Sequence, residues 1–321
     1  MPGLVAGLPY YNAEAIRAAL PPADAVAALR SALAAGLDPT ADPPRARMPL
    51  THGEFLLMPS EFGADVGVKV ITIVPGNTAR NIPVIQGLYI LLDAETGTPT
   101  ALLDGIEMTG LRTAAVSLAA VRDRVLAGEH PLRVVVFGAG VQAHSHLRTL
   151  FAVVDGKRAV GDVVVAVRSP HDVKVHDIVE SADVPAAIVG IGTPEADRAV
   201  AEADVVMCTT RSAEPLFDGT LVRDSATVVC VGAHEPHARE VDDELIARSF
   251  VMVEDPATAL REVGAVISAL AAGRFDSERL IPLTACADLD VGEATRPLVF
   301  ISVGMSWEDL VIASAVAAAI A

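Results

Sequence analysis

The sequence is short of cations: 24 lysines and arginines stand against 41 acids, a formal net charge of −17 over 321 residues. So acidic a surface repels nucleic-acid phosphates and anionic membrane surfaces, and neither is expected as a partner, although local basic pockets remain open. Long apolar runs are missing as well. Hydrophobic residues make up 52% of the chain, yet no stretch of about 18 lacks charge, glycine or proline, which argues against a membrane span. Cysteine is scarce. Cys208, Cys230 and Cys286 are odd in number and far apart, so neither a disulfide frame nor a zinc pattern follows, and no metal is expected. No basic region runs into an apolar stretch near the N-terminus, and the expected setting is the reducing cytoplasm.

What is present is enough chain for two domains with cores of their own. Residues 12–36 read as two helices, the first capped by Asn12 and the second opened by Pro21-Pro22. Residues 54–103 carry apolar strand-like runs separated by Pro and Gly clusters, a β-rich and antiparallel region, with Asp93–Pro99 as a turn. The spacing of Leu111, Ala115, Leu118, Val121 and Val125 predicts a helix from Thr109 to about Leu126 with Thr109 as cap. Valine-rich strands at 133–137, 162–167, 204–208, 227–231 and 250–253 then alternate with helical stretches, the order that builds a parallel sheet covered on both faces. A helical run over 256–273 and a final apolar helix from about Trp307 to Ala321 complete the chain. The fold class is α/β: a Rossmann-type doubly wound parallel sheet over 116–303, plus a β-rich α+β dimerisation and substrate domain over 1–115 with 304–321.

The run Leu132–Ala143 carries the clearest chemistry. A strand enters Gly138-Ala139-Gly140-Val141-Gln142-Ala143, where Gly138 lets the chain turn and Gly140 lets backbone approach a pyrophosphate at the start of the next helix. The second strand ends in Val167-Arg168-Ser169 instead of an acid, so Arg168 with Ser169 suits a 2′-phosphate, favouring NADPH over NADH. Thr209 and Thr210 end a later strand and are placed to line the cofactor. Val231-Gly232 ends another and leads to His234, a candidate for proton transfer near the nicotinamide.

Four cations sit among apolar neighbours in the first half: Arg45, Arg47, Lys69 and Arg112. A charge held away from water needs a partner, and a substrate carboxylate gripped by a guanidinium fork is one. The alternative is a protein carboxylate such as Glu61 or Asp65.

Taken together, these segments resemble the ornithine cyclodeaminase and mu-crystallin family over nearly the whole chain. The resemblance runs in order through Leu57-Met58-Pro59, Lys69, Pro75-Gly76-Asn77, Leu92-Asp93 with Thr96-Gly97, Thr109–Ala115, Gly138–Ala143 and Ser302-Val303-Gly304. It implies a homodimer formed through the β-rich domain. It also implies that Arg112 and Lys69, with Arg45 or Arg47 and Met58, meet a small imino or amino acid, and that Thr113 joins the cofactor set. Spacing to Met58-Pro59 favours Arg45 over Arg47. Cyclodeaminating members carry an acid where this chain has His234 and another where it has Leu56. With both missing, the distal ammonium of ornithine would be poorly compensated.

The reading that follows is an NAD(P)H-dependent reductase of cyclic or linear 2-imino acids, in which Lys69 polarises or orients the substrate and His234 is the leading candidate for proton transfer. Two alternatives stand beside it: a cyclodeaminase-like lyase or alanine-type dehydrogenase using NAD, and a non-catalytic NADPH-dependent binder of small ligands.

Overall fold

The computed structural model describes residues 7–171, 176–178, 184–287 and 295–320. The chain divides into two compact units, one of Met1–Val116 with Met305–Ala321 and one of Ser117–Gly304.

In the first unit, β1 (Tyr10–Tyr11) leads to α1 (Ala13–Ala19), capped by Asn12, and α2 (Pro22–Ala34). The sheet continues with β2 (Ala46–Leu50), β3 (Gly53–Phe62), β4 (Asp65–Ile73), β5 (Ile85–Asp93) and β6 (Pro99–Asp104). Strand order is β1-β6-β5-β4-β3-β2, antiparallel except for the β1–β6 pair. The expected turn forms where the Asp93 carboxylate accepts from the Thr96 amide and hydroxyl. Leu56, Met58, Ser60, Gly67, Lys69, Ile71, Tyr89 and Leu91 alternate along their strands and share one buried face. The C-terminal helix Ser306–Ile320 packs on β3, β4 and β5 and on α2. It is apolar on nearly every side because its first half is buried all round.

Helix α3 (Gly105–Leu126) starts a turn earlier than the spacing of its apolar residues predicts. The Asp104 carboxylate accepts from the Ile106 and Glu107 amides and is the cap. Thr109 is not: its hydroxyl donates to the Gly105 carbonyl within the helix.

Among its described residues the second unit holds an eight-stranded parallel sheet. Its elements are β7 (Leu132–Phe137), α4 (Val141–Val154), β8 (Val160–Val167), β9 (Ala186–Gly190), α5 (Pro194–Glu202), β10 (Val205–Cys208) and β11 (Thr227–Cys230). There follow α6 (Asp243–Arg248), β12 (Phe250–Val253), α7 (Pro256–Glu262), α8 (Gly264–Ala271), β13 (Leu280–Pro282) and β14 (Leu298–Ile301). Strand order is β13-β12-β14-β11-β10-β7-β8-β9. The chain enters at β7, winds outward through β8 and β9, and returns to β10 on the other side of β7, which makes the β7–β10 junction a topological switch point. The strands are nearly continuous valine because helices bury both faces.

Two details differ from the sequence reading. The helical run 256–273 breaks at Val263, whose extended backbone (ψ 98°) caps both halves, and Gly264 after it packs so close to Ala238 that a Cβ would stand 2.2 Å from its carbonyl oxygen. β9, β13 and β14 were not expected: β9 is half alanine and glycine, β13 ends in a proline that only a sheet edge tolerates, and β14 hides behind Pro297. No helix among the described residues is long and apolar enough to cross a membrane.

Candidate active site

The second unit provides a cleft of about 780 Å³ at the switch point, lined among others by Gly138, Ala139, Arg168, Ser169, Thr209 and Thr210. Gly138 takes φ +103°, a conformation that side chains rarely adopt. Gly140 is the N-cap of α4, makes no side-chain cap, and has open space where a Cβ would stand. The 14-residue helix therefore presents uncapped amides, beginning at Val141 and Gln142, along a clear approach. That arrangement fits a pyrophosphate. Val141 is exposed beside it, while Ala143, at the third glycine position, is buried against the sheet.

The two threonines are built into the walls. Thr209 donates its hydroxyl to the Phe137 carbonyl at 2.7 Å. Thr210 donates its amide and hydroxyl to one oxygen of Glu240 at 2.6 and 2.8 Å, and the Gly232 amide donates to the other at 2.8 Å. Glu240 is buried, and burial pushes its carboxyl up while these donors oppose the shift. Gly232 is required for packing: a Cβ there would stand 1.8 Å from the Thr210 carbonyl oxygen. Val231 and Gly232 stand behind the cleft and do not line it. Arg211 does, beside Arg168, and sequence reasoning passed over both it and Glu240. The run Thr209-Thr210-Arg211 at a strand end was the available signal for Arg211. Nothing local marks Glu240.

The first unit holds a buried charge cluster. Lys69 is 1% exposed and its ammonium donates to Asp309 Oδ2 at 2.6 Å. The Arg112 guanidinium donates to Glu308 Oε2 at 2.8 Å and lies 3.3 Å from Asp309 Oδ1 through Nε. The two acids come from the first turn of the C-terminal helix, where the helix dipole also favours negative charge. These partners correct the expected ones: Glu61 and Asp65 hold neither cation, and both cations are paired inside the protein. Two adjacent acids in an otherwise apolar helix were the missed signal, since buried carboxylates demand cations. Burial, then the neighbouring Arg112 charge, lowers the Lys69 ammonium to about 8, with Asp309 pulling the other way.

The other candidates distribute as follows. Met58 is buried and stands opposite Lys69 in the β3–β4 register. Arg47 donates to the Glu54 carboxylate on the outer strands at 3.0 Å. Arg45 is half-buried and immediately precedes β2. Thr113 lies in the first unit and donates its hydroxyl to the Thr109 carbonyl. His234 is half-buried in the loop after β11.

A family model described as "Ornithine cyclodeaminase/mu-crystallin family" matches residues 15–320. The chain belongs to that family. It is 33% identical over 279 residues to a Delta(1)-pyrroline-2-carboxylate/Delta(1)-piperideine-2-carboxylate reductase of Azospirillum brasilense, covering 84% of this chain and 81% of that one. It is 31% identical over 268 residues to the ketimine reductase mu-crystallin of Rattus norvegicus, covering 83% and 80%. Its fold matches that of the Thermococcus litoralis Delta(1)-pyrroline-2-carboxylate reductase solved with NADH and L-proline, at TM-score 0.83 and 23% identity over 97% of each chain. The doubly wound unit and the mixed-sheet unit are thus the architecture of this family.

Proposed function

We propose that the protein is an NAD(P)H-dependent reductase of 2-imino acids, cyclic ketimines such as pyrroline- or piperideine-2-carboxylate above all. Arg112 and Arg45 hold the substrate carboxylate. Glu308 and Asp309 fix the Arg112 guanidinium in direction, so that binding does not have to order it. Lys69 orients the imine and provides the proton that nitrogen gains, with His234 as the other proton-transfer candidate. A bound reduced nicotinamide would supply the hydride, held by the glycine turn and α4 with Thr209 and Thr210 in the cleft wall.

The observation that carries the reading is Leu56. It is 3% exposed on the same sheet face as Met58 and Lys69, where cyclodeaminating members of the family carry an acid. A distal ammonium would find hydrocarbon there, which disfavours ornithine. The reductase names of the relatives agree with this.

NADPH is the preferred cofactor, because Arg168 and Ser169 line the cleft at the end of the second strand and Arg211 adds a second guanidinium. The assembly is a homodimer through the β-rich unit, whose edge strand β2 is exposed along its length and displays Met48 and Leu50. Three buried free thiols suit a reducing, cytoplasmic setting.

The test is a panel of cyclic imines, and of 2-keto acids with ammonia or methylamine, followed by absorbance of NADPH and NADH. Consumption of NADPH with a cyclic imine is expected. Ammonia release from a diamino acid without net cofactor change would replace the reading with a cyclodeaminase, and stoichiometric cofactor binding without turnover would replace it with a binding protein.

A further inference from the structure

Ser302-Val303-Gly304 belongs to the ordered motifs of the sequence, yet it does not line the cleft of the second unit. The segment leaves β14 at its carboxyl end, the edge at which open parallel sheets bind their ligands. Glu254 leaves β12 beside it, because Val253 pairs with Ile301 in the last step of the register. One oxygen of the Glu254 carboxylate accepts from the Ser302 hydroxyl at 2.6 Å and the Gly304 amide at 3.0 Å, and the other accepts from the Val303 amide at 3.0 Å. The Gly304 amide is shared with Ser302 Oγ at 3.1 Å, and Gly304 takes φ +75°. Three consecutive residues therefore hang on one carboxylate. It is 3% exposed, and no cation pairs with it among the described residues.

Glu240 repeats the device at the neighbouring strand ends. It too is buried and gathers three donors, two from Thr210 after β10 and one from Gly232 after β11. Among the described residues the remaining buried acid of this unit is Asp255, which caps α7. A carbonyl satisfies a buried N–H at a lower desolvation cost, whereas a carboxylate holds it about twice as strongly. The gain is rigidity, and both glutamates place it at the ligand edge. The cleft collects the ends of β7, β8, β9 and β10. Beyond β10 the order continues with β11 and then β14, which at about 4.8 Å per strand puts the 302–304 turn about 10 Å further along the edge. A dinucleotide lies across a switch point with one mononucleotide on each side. With its adenosine end toward Arg168, the other half points to β11 and β14.

We propose that Glu254 is a positioning residue for hydride transfer, holding the 302–304 turn as the stop against which the nicotinamide half of the cofactor rests. The inference rests on the imine-reductase reading, in which the imine carbon gains the hydride that the reduced nicotinamide loses and the imine nitrogen gains a proton. Glu254 touches neither reactant and acts through the turn. Hydride transfer is sensitive to such a stop, since a misplacement of about 1 Å costs about a hundredfold in rate.

The experiment compares the full-length parent with Glu254→Gln, which keeps one acceptor oxygen and turns an amide NH2 toward the donors of the other. With NADPH alone, the parent is expected to strengthen and shift the nicotinamide fluorescence. The variant is expected to lose most of that gain while binding one NADPH per chain with a Kd within about twofold of the parent's. On pyrroline-2-carboxylate its kcat should fall about tenfold, with KM for both reactants within about twofold and a larger primary isotope effect from NADPH deuterated at the transferred position. Parental fluorescence and kinetics would overturn the proposal. So would a Kd that rises as far as kcat falls, because the clamp would then serve the cleft as a whole, and so would fewer binding sites per chain with parental fluorescence and isotope effect at each, the mark of a merely structural role. Ser302→Ala removes the one side-chain donor; it should move the same readouts in the same direction, and if Glu254→Gln fails to fold, parental values in Ser302→Ala overturn the proposal. A parent that reduces no imine overturns the function reading instead, and the fluorescence comparison then still decides whether the clamp positions the nicotinamide.

Discussion

The two units solve the problem of holding charge in opposite ways. The cleft of the second unit is assembled from short loops at strand ends, and the cations on its wall, Arg168 and Arg211, lie where a ligand phosphate can reach them. The cluster of the first unit is assembled from residues 240 and 196 positions apart, and its cations are neutralised by Asp309 and Glu308. One site waits for a ligand to complete its electrostatics. The other is complete beforehand: both of its cations already have partners inside the protein. The first arrangement suits an anionic nucleotide, whereas the second spends its charge on fixing the directions of its own side chains.

The sharpest way to break this contrast is Lys69→Met. It should lower kcat on pyrroline-2-carboxylate by about a hundredfold or more while NADPH binding, followed by fluorescence, is unchanged; full turnover would remove Lys69 from the chemistry. Arg168→Ala probes the other unit, and is expected to cut kcat/KM with NADPH by about ten- to a hundredfold while leaving NADH almost untouched, as loss of a charged hydrogen bond of about 1.5–3 kcal/mol requires. Equal losses with both cofactors would place Arg168 away from a 2′-phosphate. Glu240→Gln tests whether the cleft walls are held from behind. Its amide would present a donor to a backbone N–H, so the KM for NADPH and NADH should rise together by a few-fold, with kcat little changed.

The smallest effect concerns stability. The Asp42 carboxyl lies near 6 in the folded protein against an ordinary 3.8, raised chiefly by burial. Folding therefore binds the proton more tightly, a contribution complete below the ordinary value and lost as pH rises through about 6. Asp42→Asn escapes that loss. Its melting temperature should exceed the parent's by a few degrees at pH 7.5 and match it at pH 4, and a gain of the same size at both pH values would acquit Asp42 of the titration.

How far each site could be seen in advance follows from the same contrast. The turn at Gly138–Gly140 was legible because its requirements are local: a positive φ at one residue, a clear approach at another, and the amides of the next four positions. Arg168 was legible because it ends a strand that announces itself by valine. Lys69 and Arg112 were visible as cations in apolar surroundings, yet Glu61 and Asp65 looked like suitable partners only because they are near in sequence. Thr109 looked like a cap for a similar reason, although Asp104 sits one turn earlier and has the stronger acceptor.

The amino-acid order by itself determined the two kinds of sheet, the phosphate-ready turn and the need for every buried cation to find an anion, because periodicity, glycine conformations and desolvation act over a few neighbouring residues. Which anion answers which cation was decided only when the C-terminal helix lay down on the mixed sheet. Pairing in a dry interior depends on distances of a few ångströms across the fold, and no separation along the chain encodes those.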